Sequence, residues 1–491
     1  MEIKKMTIDE IQRGYIEKKF TAREIIRAYM DRIKRLDKNI NSFITLCEEE
    51  ALREAEIIDE KLNKGENIGL LGGIPVAIKD NMCTRGIKTT CASKILEDFI
   101  PPYDATVVKR LKDDGAIIIG KTNMDEFAMG SSTENSAFKV TKNPWDLSKV
   151  PGGSSGGSAA ALASGFAPLT LGSDTGGSIR QPAAFCSAVG LKPTYGLISR
   201  YGLIAFASSL DQIGTFTKTV KDCALSLGVI QGNDPLDGTS IQSEPVKDYL
   251  ADLDRGVEGL KVGVPKEFFQ KGLDTEIYGA IRGSIKVLEG MGAIVEEISL
   301  PIAESGLSAY YIISSAEASS NLARYDGIRY GYRAEKFEGL EELIVNSRTE
   351  AFGEEVKRRI MLGTYVLSSG YYDAYYKKAM KFRKKIRNKF KETFKNYDII
   401  LSPTSPVLPF NIGERTQQPL EMYLADIYTV NINIAGLPAI SIPCGFSKDK
   451  LPIGLQLIGD HYTEKKLLQT AYSLEQALGI HNNIPELKEV K

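Results

Sequence analysis

Apolar residues recur at helical spacing through the first 65 residues, where Ile8, Ile11 and Tyr15, and then Ile25, Ile26, Tyr29 and Ile33, line one face of each segment. From residue 69 the pattern changes to strands alternating with helices. Ile74, Val76 and Ile78 alternate as in a strand, and the run breaks into polar residues at Lys79. Asp104 stands where it would cap a helix ending at Gly115, and Ala116–Ile119 reads as the strand after it. Further strands are predicted at Leu260–Val264, Ala293–Ile298, Ile399–Leu401 and Ile453–Ile458, with helices over Thr275–Met291 and Glu464–Leu478. Helical spacing dominates residues 304 to 397. This order predicts an α/β fold in which a sheet core is interrupted by a helical insertion. One domain over 1–491 is expected: N-terminal helices over 1–65, a sheet core over 66–300 and 398–491, and the insertion over about 301–397.

Composition narrows the class. A chain of 491 residues that is 43% hydrophobic and 25% charged can bury a large core. Its formal net charge of −1 gives no global attraction to nucleic acid or to an anionic membrane, so any RNA contact would be local or made by a partner. No run of about 18 uninterrupted apolar residues occurs, and the first residues lead into a charged amphipathic helix, so a cytoplasmic protein is expected. The six cysteines (47, 83, 91, 186, 223 and 444) contain no Cys-x-x-Cys pair and read as reduced, mostly buried thiols. With no clustered Cys/His set, a metal site in this chain is not expected.

Two glycine-rich serine blocks carry the candidate chemistry: Gly152-Gly153-Ser154-Ser155-Gly156-Gly157-Ser158 and Asp174-Thr175-Gly176-Gly177-Ser178. The only histidines, His461 and His481, lie near the far end, so a serine nucleophile here needs another base. Lysine serves when burial lowers its pKa towards about 7 to 8. Lys79 is the candidate, because it falls at a predicted strand end, where α/β folds place functional groups. Glycines without Cβ atoms would let backbone N–H groups of Thr175, Gly176, Gly177 and Ser178 face a developing oxyanion.

Two plainer readings compete. A glycine-serine run can be a linker, but Ala159–Ala163 and Leu169–Leu171 between the blocks are apolar enough to be core. Gly115 to Thr122 matches the spacing of a phosphate loop, although Ala116–Ile119 reads as the strand itself. A third motif, Tyr371 to Lys395, interleaves basic and aromatic residues as in nucleic-acid binding. Its Phe382, Ile386, Phe390 and Phe394 nevertheless recur at i+4 and read as a core stripe.

On residues 151–182 and Lys79 the chain resembles the amidase signature family. The resemblance implies a large mixed β-sheet flanked by helices. It also implies a Ser-Ser-Lys triad with Ser178 as nucleophile, Ser154 as bridge and Lys79 as base, and a cis peptide between Gly153 and Ser154. Stretches around Ser319–Arg324, Glu355–Ile360 and Leu424–Thr429 extend the likeness to the glutamine-using, tRNA-dependent amidotransferase branch. That branch implies glutamine as substrate, Arg358 on its carboxylate, Asp426 on its ammonium, and Tyr310 beside it. Tyr311 adjoins Tyr310, and Arg359 replaces Arg358 if the alignment slips by one. The implied partners are a larger kinase and transamidase component, the B subunit, which holds ATP, Mg²⁺ and most tRNA contacts, and a small C subunit. A free-standing amidase acting on simple or aromatic amides, and an inert scaffold that keeps the fold, are the alternatives.

Overall fold

The computed structural model describes residues 2–242, 246, 248–269, 272–416, 418–480 and 483–487; His481 lies outside them. Eleven strands form one mixed sheet: β1 (Phe43–Leu46), β2 (Pro75–Lys79), β3 (Ile117–Thr122), β4 (Leu169–Asp174), β5 (Val189–Lys192), β6 (Gln212–Thr217), β7 (Lys261–Pro265), β8 (Ile294–Ile298), β9 (Ile399–Pro403), β10 (Ala439–Phe446) and β11 (Pro452–Ile458). Their order across the sheet is β1-β3-β2-β4-β6-β5-β10-β11-β9-β7-β8. β3, β2 and β4 run parallel, as do β9, β7 and β8, and the strands between them are antiparallel. Helices cover both faces, so the α/β class and mixed sheet are as the sequence implies.

The parallel triplet positions the site. β2 pairs with β3 through Lys79 and Thr122, and with β4 through Ile78 and Leu171, so the C-terminal ends of all three open on one edge of the sheet. All five residues of β2 are buried, as expected of a central strand covered on both faces. The glycine-serine blocks sit on that same edge. The first leads into the helix Gly156–Ala163, and the second follows β4 and enters the helix Arg180–Cys186.

Local departures from the sequence reading have physical reasons. The helix predicted behind Asp104 spans Thr106–Asp113 with Ala105 at its N-cap, and Asp104 instead accepts from Arg85 N at 2.8 Å and pairs with Lys112 at 3.1 Å. β3 starts one residue later than predicted and runs three residues further, through Lys121 and Thr122. Lys121 is buried and donates to Met82 O at 2.8 Å and Thr89 Oγ1 at 2.7 Å, which rules out a phosphate loop at Gly115–Thr122. The strand Phe43–Leu46 lies within the segment read as wholly helical, and its four residues are too few to carry a period of their own.

Between β8 and β9 the chain is helical, with helices Ala303–Asn321, Leu340–Ala351, Glu354–Leu367 and Lys377–Thr393. In the last of these Ile386 and Phe390 are buried while Lys381, Lys384 and Lys385 are exposed, as the core-stripe reading requires. Removing a buried isoleucine side chain costs about 2–5 kcal/mol, whereas an exposed lysine is worth under about 0.5 kcal/mol. Ile386→Ala is therefore expected to lower the thermal midpoint by several degrees and Lys381→Ala by less than one, read by differential scanning fluorimetry. Equal shifts would put the stripe in solvent.

Candidate active site

Lys79 ends β2 fully buried, and its Nζ lies 2.8 Å from Ser154 Oγ, 2.7 Å from Ser155 Oγ and 3.3 Å from Ser173 O. Three oxygens around one nitrogen suit either protonation state: an ammonium donates to all three, and a neutral amine donates to two and accepts from the third. Burial lowers the Lys79 pKa to about 7, against the opposing pull of the Asp125, Asp174 and Asp211 carboxylates. A substantial fraction of the amine is therefore neutral at physiological pH, as a general base must be. Asp125 is itself pushed up to about 7 by burial, although Thr133 N and Asn135 N donate to it at 2.9 and 3.1 Å.

The two serine blocks meet here. The Gly153–Ser154 peptide is cis, and a Cβ on Gly153 would fall 2.2 Å from Asp125 Oδ2 and 2.6 Å from Ser132 N, so only glycine lets these loops stack. Ser155 N donates to Ser178 O at 3.2 Å, which holds the block carrying Ser154 against the block carrying Ser178. Ser178 is 8% exposed, in contrast to the sealed Lys79 and Ser154, so it is the member of the set that an incoming molecule reaches. No hydrogen bond between Ser154 Oγ and Ser178 Oγ is made among the described residues.

Asp174 and Arg180 shape the second block. Both are fully buried, with Arg180 Nε 3.0 Å from Asp174 Oδ2. Gly177 N donates to Asp174 Oδ1 at 2.8 Å and Ile179 N to Oδ2 at 3.1 Å, which folds residues 174–179 around the carboxylate. Burial alone would push the Asp174 carboxyl up, but the Arg180 guanidinium, the Lys192 charge and the Asn433 amide outweigh it and hold it well below the usual carboxylate range. This changes the expected oxyanion set. Gly177 N–H is already engaged by Asp174, while those of Thr175, Gly176 and Ser178 make no hydrogen bond to another described residue. Thr175 and Gly176 are fixed from behind: Thr175 Oγ1 donates to Asp211 Oδ1 at 2.6 Å, and Thr429 Oγ1 donates to Gly176 O at 2.6 Å.

Beyond the serines lie buried groups of opposite charge. Tyr310 is buried against Gly176, where a Cβ would meet its ring at 2.5 Å. Asp426 is buried, and Ser131 Oγ donates to its Oδ2 at 2.5 Å. Burial pushes the Asp426 carboxyl up to about 7 against the pull of Ser131 and Arg359.

Of the two arginines that the resemblance leaves open, Arg359 is the buried one and Arg358 the exposed one. Both stand on the helix Glu354–Leu367, but the Arg358 side chain is 46% exposed and pairs with Glu355 at the surface, whereas that of Arg359 is 3% exposed. One residue of a helix turns the side chain by about 100°, enough to exchange the two faces. Arg359 Nε donates to Glu355 Oε1 at 2.7 Å, and its guanidinium lies 4.6 Å from the Tyr311 ring and 4.9 Å from that of Tyr423. Its Nη1 is buried without a hydrogen-bond partner. Tyr311 thus supports the arginine and Tyr310 the serine loop, which separates the two neighbours.

Several contributors escape a reading of the sequence. Ser155 holds Lys79, and its position beside Ser154 was a signal. Ser131 falls in a third small polar run, Gly130-Ser131-Ser132-Thr133, which a search for glycine-serine blocks would find. Tyr423 and Glu355, joined at 2.8 Å, come from distant segments and carry no local signature. Among the described residues no group of three or more His, Cys, Asp or Glu is placed to hold a metal ion, and no helix is long and apolar enough to cross a membrane.

Fold and site together define an amidohydrolase whose serine hydroxyls are served by a buried lysine. The chain belongs to the amidase family, whose model matches residues 24–468. It is 77% identical to the A subunit of the glutamyl-tRNA(Gln) amidotransferase of Alkaliphilus metalliredigens over the whole of both chains. It is 65% identical to the glutamyl-tRNA(Gln) amidotransferase A subunit 2 of Clostridium acetobutylicum, over 97% of this chain and all of that one. Among solved structures, the A subunit of the glutamyl-tRNA(Gln) amidotransferase of Thermotoga maritima is similar, with 44% identity, a TM-score of 0.82 and 99% of each chain covered.

The arrangement predicts how Ser178 reacts. An activated acylating or phosphonylating reagent should add one adduct mass, absent in Ser178→Ala. Its rate should fall as pH drops below about 7, because Lys79 then gains a proton and cannot accept another. Lys79→Met should leave a rate at least a hundredfold lower, without that acid limb, as followed by intact-protein mass spectrometry.

Proposed function

We propose that this chain is the glutaminase component of a tRNA-dependent amidotransferase, releasing ammonia from free glutamine for a partner protein. The observation that carries the reading is two buried opposite charges on elements that pack against the serine loop: Arg359 with an unpartnered Nη1, stacked on Tyr311, and Asp426, bonded through Thr429 to Gly176. A free amino acid brings a carboxylate and an ammonium, and a planar guanidinium suits the first as a carboxylate suits the second. A simple amide offers neither. The high identity to amidotransferase relatives over full length favours the same role over a free-standing amidase.

The chemistry follows from the residues. Ser178 Oγ attacks the γ-carboxamide carbon while its proton passes to Ser154, and Ser154 passes its own to neutral Lys79. Backbone N–H groups of Thr175, Gly176 and Ser178 face the oxygen that gains charge. When the tetrahedral intermediate collapses, the proton held by Lys79 returns through Ser154 to the departing nitrogen. The products of this half are ammonia and a γ-glutamyl ester on Ser178. Water then attacks the ester, its proton taken by the same relay and returned to Ser178 Oγ, and glutamate leaves. In this reading the B subunit binds ATP with Mg²⁺, activates glutamate or aspartate on a misacylated tRNA and makes most tRNA contacts, while the small C subunit completes a cytoplasmic heterotrimer.

Ammonia release from glutamine by the purified chain, alone and with its co-expressed partners, tests the proposal. Arg359→Gln and Asp426→Asn should each lower kcat/KM for glutamine about a hundredfold, as expected when one member of a buried charge pair is lost, and leave acetamide hydrolysis within threefold. Arg358→Ala should change neither. Glutamine turnover that survives in both pocket variants would refute the assignment.

The two substrates should also differ in pH dependence. Acetamide requires only that Lys79 be neutral, so its kcat/KM should fall tenfold per pH unit below about 7. Glutamine also requires Asp426 to be ionised to hold the ammonium, and burial places that carboxyl at about 7 as well. Both groups must lose a proton. The glutamine profile should therefore approach a hundredfold per unit, measured as initial rates between pH 5 and 8.

A further inference from the structure

We propose that the outer face of the helix Lys377–Thr393 is the docking site for an acidic, amphipathic segment of a partner protein. The proposal rests on the reading that the chain works within a complex. The helix holds nine Lys or Arg and one acidic residue, Glu392, in a chain whose formal charge is −1. Lys377 pairs locally with Asp373 at 2.7 Å, while Arg383 donates to Ser209 Oγ at 2.7 Å and Ser209 O at 2.9 Å and so ties the helix to the body. Lys384, Arg387 and Lys391 are exposed and make no ion pair among the described residues. Their spacing of three and four places them on one helical face, where like charges repel unless an anion lies across them.

That face borders a cavity of about 920 Å³. Met380, Phe390, Ala435 and Leu437 supply an apolar floor, and Asp460, His461 and Tyr462 form the far wall. Cations on the rim and apolar atoms beneath them match a segment with carboxylates on one face and aliphatic side chains on the other. A sugar–phosphate strand satisfies the rim but carries no aliphatic side chains to set against Met380, Ala435 and Leu437. The apolar surface also continues beyond the groove. Tyr371 and Tyr375 stand exposed in the turns before the helix, against Tyr365 of the helix Glu354–Leu367, with the Tyr365 ring 4.3 Å from Tyr371 and 6.1 Å from Tyr375. An exposed aromatic patch rimmed by unpaired charge marks a protein contact.

Fluorescence anisotropy with the full chain tests the surface directly. The probes are a labelled 18-residue helical peptide with Leu on one face and Glu on the other, a peptide of the same composition in scrambled order, and a 20-nucleotide oligouridylate. The patterned peptide should bind, and Arg387→Glu/Lys391→Glu and Met380→Asp should each weaken it at least tenfold; the scrambled peptide and the RNA should bind at least tenfold more weakly. Equal binding of the scrambled peptide, tighter binding of the RNA, or no loss in the variants would overturn the proposal.

A second arm uses the chain co-expressed with its amidotransferase partners. Arg387→Glu/Lys391→Glu should reduce partner co-purification at least tenfold while acetamide hydrolysis stays within twofold. Full assembly of the variant would also overturn the docking site. Failure of the unaltered chain to assemble with any partner would instead sink the reading of the chain as part of a complex, and the peptide binding would still decide the groove.

Discussion

A lysine kept out of water at the end of a central strand is the constraint on which the rest of the structure depends. An ammonium in a dry interior is costly, so burial works against the charged form, and the Lys79 pKa falls to about 7. Every feature around it either seals it or limits the fall. Parallel strands on both sides of β2 exclude solvent, and bare glycines let the loops carrying Asp125, Ser154 and Ser178 close over the amine. Asp125, Asp174 and Asp211 then keep the amine from becoming so weak a base that it could not take a proton. A histidine would need no such preparation, whereas this lysine, of a type usually found on surfaces, needs a fully buried strand.

The buried Asp174–Arg180 pair solves a different problem. A buried ion pair often adds little to stability beyond what it costs to desolvate, but it fixes geometry when its remaining donors and acceptors are satisfied. Arg180 reaches Gln456 at 3.0 Å, Asn433 at 2.6 Å and Thr429 O at 3.1 Å, so one guanidinium joins β11 and the segment 429–433 to the serine loop. Asp426 lies three residues before Thr429, which holds Gly176 O. Asp426 and the loop carrying Ser178 are therefore parts of one hydrogen-bonded unit.

Much of this was legible in the chain. The two glycine-serine blocks and the scarcity of histidine pointed to a lysine, and the polar break after Ile78 located it. Helix Glu464–Leu478 matches its predicted bounds, because its apolar spacing is regular and Gly479 ends it in the left-handed region. What was not legible depended on rotation and on distance. Arg358 and Arg359 carry the same chemistry in sequence, and only the orientation of their helix separates a surface cation from a pocket cation. Asp104 looked like a cap because Asp commonly is one, yet Lys112 and Arg85 N compete for it. Tyr423 and Glu355 acquire meaning only when segments 68 residues apart are brought together.

A relay that ends on Lys79 requires the amine to be largely neutral near physiological pH. Its most direct test is to titrate the amine itself, by NMR of protein carrying ¹³Cε/¹⁵Nζ-labelled lysine, with Lys79→Met assigning the resonance apart from those of the other buried lysines, 121 and 192. The account predicts a midpoint near 7 for the signal that disappears in the variant. A midpoint near the ordinary lysine value of about 10.4 would mean that the amine stays charged in place, and a relay ending on Lys79 would be ruled out.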